Sequence, residues 1–305
     1  MLIFSAPASS FCLMIPKSFE YVDPQSLNEA FLLLEKYGSE AKILSGGQSL
    51  VSLMKLRLAN PKYIVDLSKV HGLSYIHRRI DGSYAIGAKT THHEVSNSGI
   101  IMENFAALSE AEKSIGDFQI RNMGTIGGAI CHADPAGNIP PTMVALDARF
   151  VLQRSAGQRI IPAKEFFLDT FTTEIRPDEI LTEIILPQPP QSSGSAYLEF
   201  NRRHGDFAIV NVACRLGLDF TGKCNFSSIA LGGVSTVPVV LREASDFLLG
   251  RELSENTVDQ AIEIMSFHMA DPPNDIHSTA KHRRIVSKVL VKRAIDIANK
   301  RIRGF

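Results

Sequence analysis

The sequence predicts an α+β chain of two domains. Three observations lead there. Short apolar runs alternate with amphipathic helical stretches, hairpin turns fall at Asp81-Gly82 and Ala156-Gly157, and PQPPQSSGS at Pro187 to Ser195 breaks the pattern, after which strand and helix signals begin afresh. A chain of 305 residues can give each domain its own core. The first domain is placed over residues 14–190. The second, antiparallel strands followed by helices, is placed over residues 191–305. Residues 1–13, MLIFSAPASSFCL, carry no Lys or Arg and lack the charged start of a secretory signal. They are expected to be a disordered or mis-assigned extension before Met14.

In chain order, DPQSLNEAFLLLEKYG reads as a helix. Ser26 and Glu29 have capping-box spacing, Leu27, Ala30, Phe31 and Leu34 share a face, and Gly38 supplies the stop. AKILSGG is a short strand entering a loop, and KYIVDLS is a second buried strand. LSYIHRRIDGSYAIGA is a hairpin. ALSEAEKSIG is helical up to Gly116, ARFVLQR and QRIIPA are the arms of another hairpin, and EILTEIILP is a strand closed by Pro187. Beyond the break, AIVNVACRLGLDFTGKCNFSSIALGGV gives two or three strands around Thr221-Gly222. ENTVDQAIEIMSFHM and HRRIVSKVLVKRAIDIANKR are helices. In the latter Val286, Leu290, Ala294 and Ile297 share a face, and the basic residues form a solvated outer surface.

Composition excludes several functions. The 32 basic residues balance 32 acidic ones, so no basic excess points to a nucleic acid or a membrane surface. No apolar run is long enough to span a membrane. Cys12, Cys131, Cys214 and Cys224 are scattered without C-x-x-C, which suits reduced thiols in a cytoplasm and leaves no ligand set for an iron–sulfur centre. His92-His93 has neither a metal-ligand spacing nor a carboxylate partner in the sequence, so no metal site is assigned. No nucleophile elbow or acid–base dyad presents itself, and no catalytic side chain is assigned. Asp134, before Pro135, reads as a turn residue.

Two glycine-rich segments remain, ILSGGQSL at Ile43 to Leu50 and GTIGGA at Gly124 to Ala129, each after an apolar run. Adjacent glycines let backbone N–H groups turn toward an anion and approach it closely. One such loop is weak evidence, because paired glycines also serve as plain turns or bulges. Two of similar make can grip a pyrophosphate from both sides. Neither fits G-x-G-x-x-G or the P-loop pattern.

The segment IGDFQIRNMGTIGGAICHADPAGN resembles the signature of the FAD-binding middle subunit of molybdenum hydroxylases, the family of xanthine dehydrogenase and aerobic carbon monoxide dehydrogenase. ILSGGQSL resembles that family's first loop, VDLSKVHGLSYI its next strand and turn, and EFNRRHGDFAIVNVA the start of its C-terminal domain. The resemblance runs from about Met14 to the final helix and is carried chiefly by Gln119 to Gly128. It implies a two-lobed FAD-binding domain of the vanillyl-alcohol-oxidase type, followed by the smaller strand-and-helix domain. Ile43, Leu44, Ser45, Gly46, Gly47, Gln48, Ser49 and Leu50, with Thr125, Ile126, Gly127 and Gly128, would hold FAD, chiefly its pyrophosphate, through backbone amides. Ile115 and Gly116 would pass close to the ring system, and Leu181 would pack on the flavin. Arg202-Arg203 and Asp206-Phe207 match a stretch near the isoalloxazine entrance. On the residues alone, Leu181 is equally a strand core residue and the arginines a surface or interface ion pair.

Three positions depart from the family pattern: Ala129 stands for an Asn after the second loop, Asn138 for an Asp, and Glu199 for a basic residue before the arginine pair. Ala129 and Asn138 still count among the cofactor-lining positions. The resemblance further implies a large molybdenum–pterin subunit, a small subunit with two [2Fe-2S] clusters, and electrons that leave this chain's FAD for an external acceptor. Two other readings stay open. A stand-alone flavin oxidoreductase would need a substrate-facing acid or base or a covalent flavin link, for which His132 is the distant candidate. A non-catalytic scaffold would have kept the fold and lost the cofactor.

Overall fold

The computed structural model describes residues 15–268 and 272–304, so the expected extension at 1–13, with Cys12, lies outside the described residues. The chain then runs β1 (Glu20–Val22), α1 (Leu27–Tyr37), β2 (Ala41–Leu44), α2 (Leu50–Lys55) and β3 (Tyr63–Asp66). β3 lies between β1 and β2 and is parallel to both. Ser26 caps α1 as expected, its Oγ accepting from Glu29 N at 3.2 Å. The Glu29 carboxylate reaches past the cap to Gln25 N at 2.8 Å, so the reciprocal half of the box falls one residue early. Gly38 ends the helix at φ 53°. Ala30, Phe31 and Leu34 are buried in one cluster with Val65 and Leu67. β1 has no counterpart in the sequence reading, because its three residues are mostly exposed and make no apolar run.

Next come β4 (Ile76–Arg78), β5 (Tyr84–Gly87), α3 (His92–Asn97), α4 (Gly99–Asn104), α5 (Ala106–Lys113), α6 (Phe118–Met123), α7 (Ile126–His132) and α8 (Ile139–Ala145). β6 (Arg149–Arg154), β7 (Gly157–Pro162), α9 (Ala163–Phe166), β8 (Phe167–Asp169), β9 (Thr172–Thr173) and β10 (Ile180–Leu186) complete this half. The two expected hairpins form, and β10 inserts between them to give the antiparallel order β4-β5-β10-β6-β7. Ile86, Phe105, Ile126, Ile130, Met143 and Phe150 are fully buried between this sheet and the helices. The sequence signalled one helix, α5, where six stand, because each is only one to two turns long and shows little periodicity.

The last part holds β11 (Ser193–Phe200), β12 (Val210–Leu218), β13 (Cys224–Gly232), β14 (Val239–Val240), α10 (Arg242–Leu248), α11 (Glu255–His268) and α12 (Ala280–Arg303). β11 begins at Ser193, so the irregular stretch read as reaching Ser195 ends at Ser192. β12 is buried at every position because its sheet is covered on both faces. Val210, Val212, Cys214 and Leu216 join Leu290, Val291 and Ala294 of α12 in one core, whereas Tyr197, Ala213 and Ala230 join the core of the first half. The two-residue period of a strand thus assigns alternate side chains to the two parts of the molecule. Small residues at 213 and 230 let α5 and α8 pack closely there.

The basic residues of α12 are not all a solvated face, as the sequence reading had them. Lys292 and Lys300 do pair at the surface with Asp259 and Asp296. Arg283, however, is 4% exposed, with its guanidinium donating to the Ile209 and Gly233 carbonyls and to Asp275. Arg301 donates to Ser195 O at 2.5 Å and to Glu110, whose other oxygen accepts from Tyr197 N at 2.9 Å. Glu110 therefore joins α5, β11 and α12. Arg283→Ala is expected to lower stability by about 3 kcal/mol, since it strands two buried carbonyls and Asp275. Lys281→Ala on the exposed side is expected to stay within about 0.5 kcal/mol. Urea unfolding midpoints of the two variants check this.

Candidate cofactor site

The first glycine segment leaves the edge strand β2 and turns into α2. Gly47 takes φ +74°, open to glycine at little cost. Gly46 is needed for a different reason: a Cβ there would sit 2.2 Å from Met123 O and 2.6 Å from Gly124 Cα. The two segments, eighty residues apart, therefore touch backbone to backbone. Ser45 Oγ and Thr125 Oγ1 meet at 3.1 Å beside that contact.

The second segment is held by the chain that follows β5. Gly127 N donates to Ala88 O, Ile126 N to Thr90 O, and His92 N to Gly124 O, each at 3.0 Å. Residues 88–92 and 124–127 thus run as a short antiparallel ladder, with a bridge between Thr91 and Thr125. Thr125 caps α7, its Oγ1 accepting from Gly128 N at 3.2 Å. The stretch read as a loop is consequently the first turn of a helix. Gly127 does not adopt the left-handed conformation. Its missing side chain makes room for Ala88, whose Cβ and O would both lie 2.6 Å from a Cβ at 127.

Backbone amides sort the segments by what they can do. Ile126, Gly127 and Gly128 donate within the protein, to Thr90 O, Ala88 O and Thr125 Oγ1. The amides of Gly46, Gly47, Gln48 and Ser49 take no protein acceptor among the described residues, and these residues stay partly or well exposed. Gln48 folds its side chain onto its own loop, Nε2 to Gly46 O at 3.0 Å. Four successive donors without a protein acceptor, on a turn with φ +74° at Gly47, are available to an anion. Thr125 faces Ser45 of the first segment, while Gly128 is exposed and Ala129 half-buried in the helix that follows. Ile43, Leu44 and Leu50 flank these donors, half-buried.

Ile115 and Gly116 form a turn after α5, with Arg121 Nη1 donating to their carbonyls at 2.8 and 3.2 Å. Gly116 has φ +46° and abuts Gly205, where a Cβ would lie 2.9 Å from Gly116 O. The structure thereby brings the 115–116 turn against the 202–207 loop. Phe207 at its end is 66% exposed, a free aromatic face, while Arg202 and Asp206 pair loosely at 3.8 Å. Leu181 is 5% exposed in the core of the five-stranded sheet, in the strand on which α7 packs.

Asn138 is buried at the start of α8, its Nδ2 3.4 Å from Ala111 O, with its side chain near enough to the Glu199 carboxylate to favour the charged form. Tyr197 Oη and Asn201 Nδ2 donate to the same carboxylate at 3.0 and 2.8 Å. Burial lifts Glu199 above the usual carboxylate range, and Tyr197, the nearby His204 and Asn138 oppose the lift. Two departures from the family pattern therefore meet each other in space.

His132 packs against the Phe171 ring at the β8–β9 hairpin, 3.9 Å from Asp134, rather than at the joint of the glycine segments. Asp134 is a turn residue, accepting from Ala136 N at 2.8 Å. The sequence reading missed the partner of His92: its Nδ1 lies 2.5 Å from Glu112 Oε2, with both side chains buried. The signal available was T-H-H-E, a capping box at Thr91 and Glu94 that starts α3 at His92. Among the described residues no cluster of three or more His, Cys, Asp or Glu could hold a metal.

Unmet backbone amides on one lobe, abutting a glycine-containing helix start on the next, suit a protein that holds an anionic nucleotide cofactor. Residues 17–189 match the family model of the FAD binding domain in molybdopterin dehydrogenase, and residues 195–298 that of the CO dehydrogenase flavoprotein C-terminal domain. The chain belongs to this family of FAD-binding medium subunits of molybdenum hydroxylases. It is 40% identical to the 6-hydroxypseudooxynicotine dehydrogenase complex subunit alpha of Paenarthrobacter nicotinovorans, over 95% of this chain and 97% of the relative. It is 36% identical to the carbon monoxide dehydrogenase medium chain of Afipia carboxidovorans, over 95% and 100%. A solved Cu,Mo-CO dehydrogenase superposes with a TM-score of 0.90 at 36% identity, over 94% of this chain and all of that one. Quinoline 2-oxidoreductase of Pseudomonas putida 86 gives 0.88 at 30% identity, over 95% and 99%.

Gly46→Ala is expected to cost about 1–3 kcal/mol, because the new methyl must push the two segments apart. Gly99→Ala, in open space at the start of α4, is expected to be neutral. Thermal unfolding of both variants reads the difference.

Proposed function

We propose that this chain is the flavin subunit of a multi-subunit molybdenum hydroxylase, holding FAD with its diphosphate against the amides of Gly46 to Ser49. The observation that carries the reading is the contact of Gly46 with Met123 and Gly124, which sets the unmet amides of the first segment beside Thr125 at the start of α7. FAD, when bound, supplies a centre that accepts and passes on electrons singly or in pairs. The chain's own residues bind and orient it. Gly47 lets the loop turn its amides outward, and Ser45 with Thr125 locks the two segments together. The turn at Ile115-Gly116 and the aromatic face of Phe207 border the side where a ring system would lie, and Leu181 supports α7 from beneath.

The partners in this reading are a large molybdenum–pterin subunit and a small subunit with [2Fe-2S] clusters. Electrons enter from the clusters and leave to an external acceptor. The domain boundary is placed in the irregular stretch before Ser193. Among the described residues no helix is long and apolar enough to cross a membrane. With Cys131, Cys214 and Cys224 all free, a cytoplasmic setting is the natural one. The stand-alone oxidoreductase has less support, since His132, its candidate for a covalent link, is engaged elsewhere.

Co-expression with the adjacent large and small subunit genes is expected to yield a three-protein complex with one FAD per copy of this chain. Gly47→Val forces a β-branched residue to φ +74° and is expected to lower FAD content at least about tenfold while the three proteins still co-purify. A complex with full flavin content in that variant would remove the nest assignment. A flavin-loaded monomer that oxidises a substrate alone would remove the subunit reading.

A further inference from the structure

The second glycine segment lies where it does because residues 88–92 hold it, and that stretch ends on His92. Thr91 caps α3 with a reciprocal box to Glu94, so His92 stands at the first helical position with its ring turned into the protein. Glu112, near the end of α5, is 0% exposed. Its Oε2 meets His92 Nδ1 at 2.5 Å, and its Oε1 is buried with no hydrogen-bond partner among the described residues. The imidazole is thus the one side chain hydrogen-bonded to a carboxylate that has no access to water. The other edge of the ring lies against the second glycine segment: a Cβ at Gly124 would be 2.8 Å from His92 Cδ2 and 3.1 Å from Nε2. Gly124 in turn presents its Cα to Gly46.

We propose that the buried His92–Glu112 pair is a positioning element for the cofactor site, fixing Gly124 and Thr125 at the distance from Gly46 and Ser45 that the amide nest requires. Glu112 holds the ring in one orientation, the ring sets the depth of Gly124, and Gly124 sets the depth of Gly46. Neither residue touches the cofactor in this scheme. A buried carboxylate stripped of its partner must draw in water or move, and either event displaces α3 or α5 from the segment it supports. The proposal rests on the reading of the two glycine segments as the FAD cradle.

The test uses the co-purified complex. FAD is released with a chaotropic salt, rebound and followed by flavin fluorescence, and the visible circular dichroism of the bound flavin is recorded. His92→Leu removes the donor and is expected to weaken FAD binding at least about tenfold and to change the flavin dichroism. His92→Gln keeps an amide donor for Glu112 and is expected to stay within about threefold of the parent protein with the parent spectrum. Glu112→Leu takes the acceptor away from the ring and serves if His92→Leu does not assemble; it is expected to weaken FAD measurably and to alter the dichroism. Parental affinity and spectrum in His92→Leu, or in Glu112→Leu when the first does not assemble, overturn the positioning role while leaving the cradle intact. A parent complex that holds no FAD overturns the cradle itself, and this proposal with it.

Discussion

The contact of Gly46 with the Met123–Gly124 backbone is the constraint on which the site depends. Hydrogen bonds act over a narrow range of distances, so a nest of amides is useful only if what closes it stands at a fixed depth. Here that depth is set by the absence of side chains. Two backbones approach until the peptide of one lies where a Cβ of the other would have been. The hydroxyl pair Ser45–Thr125 then fixes the lateral register. A contact made by missing atoms has no rotamer to relax into, which suits it to joining elements from different sheets.

The two segments look alike in sequence and differ in role. Both place paired glycines after an apolar run, and both permit close approach. Their amides separate them. In the first segment, which carries a positive φ at Gly47, successive donors have no protein acceptor among the described residues. In the second the donors are consumed by Ala88, Thr90 and the Thr125 cap, so the glycines there serve packing on both sides: Gly127 against Ala88, Gly124 against His92. The division is economical, since a ligand-binding loop needs unmet donors and the element behind it must have none.

Much of the fold was legible in the sequence because its signals are local. The Ser26 cap with the Gly38 stop, the turn at Asp81-Gly82 and the apolar face of the last helix each state their structure within a few residues. What was not legible is long-range or short in length. No local pattern says that β10 pairs with both β5 and β6, or that Glu110 meets Arg301. The helices between Gly87 and Leu146 are too brief for a 3.6-residue period to declare itself. At the site, the presence of two glycine segments could be read, but the direction of their amides could not. That direction follows from residues 88–92, which bear no glycine signature, and from Glu112, twenty residues away from the histidine it holds.

The departures at 138 and 199 illustrate why positions should be judged in pairs. Taken singly, an Asn in place of an Asp and a Glu in place of a basic residue each look like the loss of a polar contact. In space the Asn138 amide lies near Glu199, and Tyr197 and Asn201 donate to that carboxylate. An aspartate at 138 would face the Glu199 carboxylate in a half-buried seam, and like charges there raise each other's pKa or move apart. A neutral amide supplies the donor without the repulsion. The exchange thus keeps the seam between α8 and β11 satisfied with one charge in place of two. The backbone of Ala129 keeps its helical bonds to Thr125 O and from Ala133 N. What positions 138 and 199 alter is the charge of their seam, and the glycine joint, made by Gly46, Gly124, Ser45 and Thr125, depends on none of the three side chains.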